Sequence, residues 1–159
     1  MRSDKHKMSR DRTPNLTVRS PQSDDIIKLT ENLMPEVSVE QMNRRWEEHR
    51  HGYRELLIAE LDGEAVGAVS VTDQRHQLPN SLRMIALDVG MAFRRKGVGT
   101  ALMEAVEEQA RRLGFQRVNL EVGVSNRDAM RLYERRGYER LGAPKMVANE
   151  MSWIMIKRV

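Results

Sequence analysis

The stretch "LDVGMAFRRKGVGTALM", residues 87–103, constrains this chain more than any other part of its sequence. An apolar strand runs into a basic, glycine-bearing turn, and that turn opens directly into a long amphipathic helix. The first turn of a helix has backbone N–H groups without helical partners and the positive end of the macrodipole, which together attract anions. Gly97 and Gly99 lack a Cβ and let a bulky anion approach the backbone, while Arg94, Arg95 and Lys96 add charge beside it. The chemistry indicated is a pyrophosphate or a similar anion. The competing reading is a basic turn whose glycines serve tight packing only. A Walker-A loop is excluded because the chain has no Gly-Lys pair, and a dinucleotide fingerprint fails where Leu102 replaces its third glycine.

The rest of the chain supplies a domain around this turn. "NLTVRS" reads as a first strand. Ser23 caps a helix with Asp24 and Asp25 in its first turn and Ile26, Leu29 and Leu33 on its apolar face, broken at Pro35. Ser38 with Gln41 forms a capping box for a second helix, with Val39, Met42 and Trp46 as its buried stripe and Gly52 at its end. Asp62-Gly63 between two β-type runs predicts a type I′ hairpin. "SLRMIALDV" is apolar on both alternating faces, as a strand covered on two sides would be. A helix follows from Val98 to Leu113, with Val98, Ala101, Leu102, Ala105, Val106 and Leu113 on one face. In "FQRVNLEV", Val118, Leu120 and Val122 alternate with Arg117, Asn119 and Glu121. Ser125 or Asn126 caps a last helix ending at Gly137, and "YERL" and "MSWIMIKRV" are final strands joined by the connection "GAPKMVAN". The order β-α-α-β-β-β-α-β-α-β-β predicts an α/β (α+β) fold with a mixed, mostly antiparallel sheet.

Arg94-x-x-Gly97-x-Gly99 at a strand-to-helix turn resembles the R/Q-x-x-G-x-G/A signature of the GNAT superfamily of acyl-CoA-dependent N-acyltransferases. Downstream, "LEVGVSNRDAMRLYERRGYE" is similar to a second motif of that family, with Asn126, Ala129, Tyr133, Gly137 and Tyr138 in register. The resemblance covers about residues 82–138. It implies a central sheet of six or seven strands flanked by about four helices, with the fourth and fifth strands splayed. It implies acetyl-CoA as acetyl donor and no metal, the pyrophosphate lying on amides of Arg95, Lys96, Gly97, Val98, Gly99 and Thr100 beside Arg94. The pantetheine would pair with the strand at Leu87, Asp88 and Val89 and touch Asn126 near Ala129.

The resemblance also assigns chemistry. Tyr133 would sit beside the sulfur, where a hydroxyl eases departure of the thiolate; the alternative is a core tyrosine sharing a face with Ala129 and Leu132. Glu121 resembles the base of the protein N-terminal acetyltransferase branch, while a solvated strand residue or an arginine partner is the competing reading. Asp88 is the second choice of base. The expected reaction is direct attack of a neutral primary amine with both substrates bound. The acceptor is read as a small molecule; a protein N-terminus or lysine is one alternative, and a non-catalytic CoA sensor another.

Composition closes several routes. With no cysteine among 159 residues there is no thiol nucleophile, disulfide framework or Cys-ligated metal, in keeping with the cytoplasm. No G-x-S-x-G elbow marks a serine hydrolase. His49-x-His51 lacks an acidic or Cys partner and reads as surface, as does His76 in a polar loop. Of the net charge of +4, residues 1–13 carry +3, so they read as a flexible basic tail ahead of one domain over 14–159, and nucleic-acid binding is not expected. No apolar run reaches the ~20 residues of a membrane span. The apolar last strand would offer a homodimer contact if left at an edge, and could equally be a buried strand of the monomer.

Overall fold

The computed structural model describes residues 14–72 and 78–159; the basic tail and His76 lie outside the described residues. Seven strands form one sheet: β1 (Leu16–Arg19), β2 (Glu55–Leu61), β3 (Glu64–Thr72), β4 (Ser81–Val89), β5 (Arg117–Gly123), β6 (Glu139–Val147) and β7 (Glu150–Arg158). Their order is β1-β2-β3-β4-β5-β7-β6. Among the described residues only the β4–β5 pair is parallel, and the other five pairs are antiparallel. Helices α1 (Asp25–Leu33) and α2 (Val39–Arg50) pack on one face, and α3 (Val98–Arg112) and α4 (Arg127–Arg135) on the other.

The local signals explain most of this. Ser38 and Gln41 close the capping box of α2 in both directions, at 3.1 and 2.8 Å. Asp62 and Gly63 adopt φ of 51° and 85°, the left-handed pair that a two-residue hairpin turn requires. Ile26, Leu29 and Leu33 of α1 and Met42 of α2 are buried against Leu56, Ile58 and Ala68. Val98, Leu102 and Val106 of α3 pack over Val118, Leu120 and Val122 of β5.

Other expectations are corrected. Asp24, not Ser23, stands at the start of α1 and makes no side-chain cap. Val39 is exposed, because the first residue of α2 precedes the turn that meets the sheet, and Leu113 is exposed just past the end of α3. "GAPKMVAN" is not a connection: β6 runs through it to Val147 and turns at Ala148 and Asn149, both at positive φ. For the last strand the second alternative holds, and β7 is not an edge strand. It lies between β5 and β6, so the dimer contact imagined for it has no free edge to use.

Candidate active site

The parallel pair sets the site. β4 registers with β5 at Ser81↔Arg117, Leu82↔Val118 and Arg83↔Asn119, and there the pairing stops. On its other side β4 remains bound to β3 as far as Val89, with a register shift opposite Val69 and Ala86 at φ 53°. A bulge of this kind bends a strand and re-aims its backbone. The two strands therefore part beyond Arg83, leaving the far end of β4 half-buried rather than covered on both faces. A cavity of about 230 Å³ fills the gap, with Arg83, Ala86, Leu87, Leu120, Glu121 and Tyr133 in its wall.

Two titratable candidates thus face one space. Tyr133 comes from α4, whose N-cap is Asn126; the Asn126 side chain accepts from the Ala129 N–H at 3.3 Å. Burial and the negative charge of Asp88 push the Tyr133 hydroxyl above the usual phenol range, so it is protonated at neutral pH. Glu121 comes from β5 and meets Arg83 Nη2 at 3.1 Å. Asp88 is engaged by Arg45 Nη1 of α2 at 2.9 Å. Neither arginine stood out in the sequence: each is one of many basic residues, and only the strand register and the placement of α2 give them acidic partners.

The turn after β4 holds the other candidates. A short 3₁₀ turn (Met91–Phe93) leads to Arg94, Arg95 and Lys96, all exposed. Arg95 and Gly97 both have positive φ, 63° and 82°, and no side chain caps α3 at Gly97. The first helical bond at this end is donated by Ala101 to the Gly97 carbonyl, so the amides of Val98, Gly99 and Thr100 point out of the helix start. A Cβ at Gly97 would meet open space, and one at Gly99 would meet only Val89 Cγ2 at 3.8 Å. An uncapped helix start with open glycines and three exposed cations is suited to a pyrophosphate.

His49 and His51 are accounted for otherwise. Leu56 N–H donates to His49 Nδ1 at 3.0 Å while that ring stacks on Trp46, and exposed His51 contacts the Glu47 carbonyl. Among the described residues no helix is long and apolar enough to cross a membrane.

Comparison with known proteins identifies the family and the fold. The profile of the family described as "Acetyltransferase (GNAT) family" matches residues 23–138. The chain is 32% identical over 93 residues to an N-alpha-acetyltransferase of Sulfurisphaera tokodaii, covering 53% of this chain and 56% of that one. It is 30% identical over 107 residues to the L-amino acid N-acetyltransferase AaaT of Escherichia coli, covering 65% of each. The chain spans about half the length of the curated relatives it matches. Its fold superposes on a PaiA N-acetyltransferase of Thermoplasma acidophilum solved with coenzyme A, at a TM-score of 0.70 and 14% identity, over 91% of this chain and 99% of that one.

Proposed function

The chain belongs to the GNAT acetyltransferase family, and from that premise we propose that it transfers the acetyl group of acetyl-CoA to a primary amine of a small molecule. The observation that carries this reading is the 230 Å³ cavity that brings Glu121 and Tyr133 to one space where β4 and β5 part.

Acetyl-CoA supplies an activated thioester, and its pyrophosphate would be held by the amides of Arg95 to Thr100 with Arg94 to Lys96 alongside. Leu87, Asp88 and Val89 offer the unpaired side of β4 to the pantetheine arm, with Asn126 and Ala129 across the cleft. Glu121 takes a proton from the acceptor's ammonium, leaving a neutral amine. Tyr133, kept protonated by burial, gives its proton to the departing sulfur. Backbone amides of β4 beyond Arg83 are fixed donors toward the acyl oxygen, and fixed donors stabilise developing charge without reorganising.

A protein N-terminus is a second reading, favoured by the relation to the Sulfurisphaera tokodaii enzyme. The first test is thermal melting with acetyl-CoA, CoA or a nicotinamide dinucleotide. The CoA species should stabilise selectively, by about 2.7 kcal/mol at a hundredfold excess over Kd. Equal effects of all three, or none, would remove the donor assignment. An amine and peptide screen with thiol release then separates turnover from a non-catalytic CoA sensor.

A further inference from the structure

The cavity contains more charge than a simple amine requires. Arg83 Nη2 lies 3.1 Å from Glu121 Oε1, with the two side chains only 19% and 16% exposed, and Arg83 Nε is buried without a hydrogen-bond partner. A carboxylate alone would serve to receive a proton from an ammonium. The guanidinium already fills the place beside it where an ammonium would sit. The pair makes sense if a ligand separates it.

We propose that Arg83 and Glu121 together receive a zwitterion, and that the acceptor is a free α-amino acid. Its ammonium takes the place of Arg83 beside Glu121, and its carboxylate takes the place of Glu121 beside Arg83. This inference rests on the acetyltransferase reading and names the acceptor of the same site. The exchange replaces one buried ion pair with two. A peptide N-terminus, an amino-acid amide or a plain alkylamine brings only the cation and leaves Arg83 buried beside no anion, which a low-dielectric site penalises. The remaining wall, from Met84, Ile85 and Leu120, suits an aliphatic or thioether side chain. The neighbouring charge, Asp88, is already held by Arg45 and does not compete for the ammonium.

The test is initial rates of thiol release with acetyl-CoA and the standard amino acids, then with the amide, the decarboxylated amine and an N-terminal dipeptide of the best acceptor. The free acid should exceed each derivative in kcat/KM by about ten- to a hundredfold, the worth of one charged hydrogen-bonded contact. Arg83→Gln should abolish that preference, mainly by raising KM for the acid, while the melting shift given by acetyl-CoA is retained. If Arg83→Gln does not fold, the wild-type ratios alone decide. Turnover of amides, amines or peptides at rates equal to or above the acids overturns the acceptor class and leaves the acetyltransferase reading standing. An acid preference undiminished in folded Arg83→Gln overturns the role of Arg83. No turnover of any acceptor overturns both readings together.

Discussion

The rings of Tyr133 and Tyr138 meet edge-on with 6.2 Å between centroids. The hydroxyl of Tyr138 donates to Glu107 Oε2 at 3.1 Å, and Lys157 Nζ donates to the other oxygen of that buried carboxylate at 2.7 Å. The proposed acid on α4 therefore leans on an ion pair that joins α3 to β7. Burial and Glu107 hold the Tyr138 hydroxyl far above the usual phenol range, so it remains a donor.

Removing the carboxylate takes the acceptor from Tyr138 and the shared anion from Lys157 and Arg136. Glu107→Ala should cost about 3 kcal/mol, the scale for breaking a buried pair from one side. In a domain of this size that lowers Tm by about 10 °C. Tyr138→Phe removes one hydrogen bond and should cost about 1–2 kcal/mol. Urea melts of the two variants measure both. A loss under about 1 kcal/mol for Glu107→Ala would show that water replaces the carboxylate.

Tyr133→Phe deletes only the hydroxyl that the cavity sees. It should lower kcat by about a hundredfold, a typical loss for a positioned proton donor, with the melting shift given by acetyl-CoA unchanged. Because the Tyr133 hydroxyl is pushed above its ordinary 10, the wild-type rate should not fall through loss of this proton below about pH 10. Full activity in the variant would make Tyr133 a packing residue.

Two glycines separate binding from folding. A Cβ at Gly67 would come within 3.0 Å of Val98 Cγ1 and 3.1 Å of the Asp88 carbonyl oxygen, whereas one at Gly99 has room. Gly67→Ala should thus destabilise by about 1–3 kcal/mol through overpacking. Gly99→Ala should leave the ligand-free Tm unchanged or slightly higher, since alanine favours a helix, yet reduce stabilisation by acetyl-CoA. Undiminished stabilisation would remove Gly99 from the proposed pyrophosphate contact.

What could be read from the sequence was local. The capping box at Ser38, the Asp62-Gly63 turn and the spacing of Val98, Leu102 and Val106 are short-range patterns whose physics does not depend on the rest of the chain. The turn at Ala148-Asn149 gave no comparable signal, because alanine rarely takes positive φ. Ala86 hid the bend of β4 for the same reason. Glu107 sat in an amphipathic helix as one more charge, and its burial follows from Arg136, Tyr138 and Lys157, all far downstream in the sequence. Of the candidate site, the turn and the residues in register with the second motif were legible, whereas Arg83 and Arg45 were not. Their roles come from the β4–β5 register and from Arg45 of α2 reaching Asp88 near the end of β4.

The start of α1 offers a test of a different kind. Arg19 of β1 grips Asp25 with two parallel bonds of 2.9 Å, Nη1 to Oδ2 and Nη2 to Oδ1, and the Gln22 N–H adds a third to the same carboxylate. This fork, followed by the Gln22 contact, holds the Asp25 carboxyl below its ordinary 3.8 against the opposing effect of burial. The folded protein therefore binds this proton less readily than the unfolded chain does. The stabilisation is complete above the unfolded value and is lost as pH falls through 3.8 toward the lower folded value. Asp25→Asn keeps an acceptor oxygen for Gln22 but loses the charged fork, and should cost about 1–2 kcal/mol at pH 7. As pH falls below 3.8 the wild type loses this contribution, so the difference between the two proteins should shrink with falling pH. Paired urea melts from pH 7 to 3 measure it, and a gap constant across that range would mean that the fork contributes geometry and not charge.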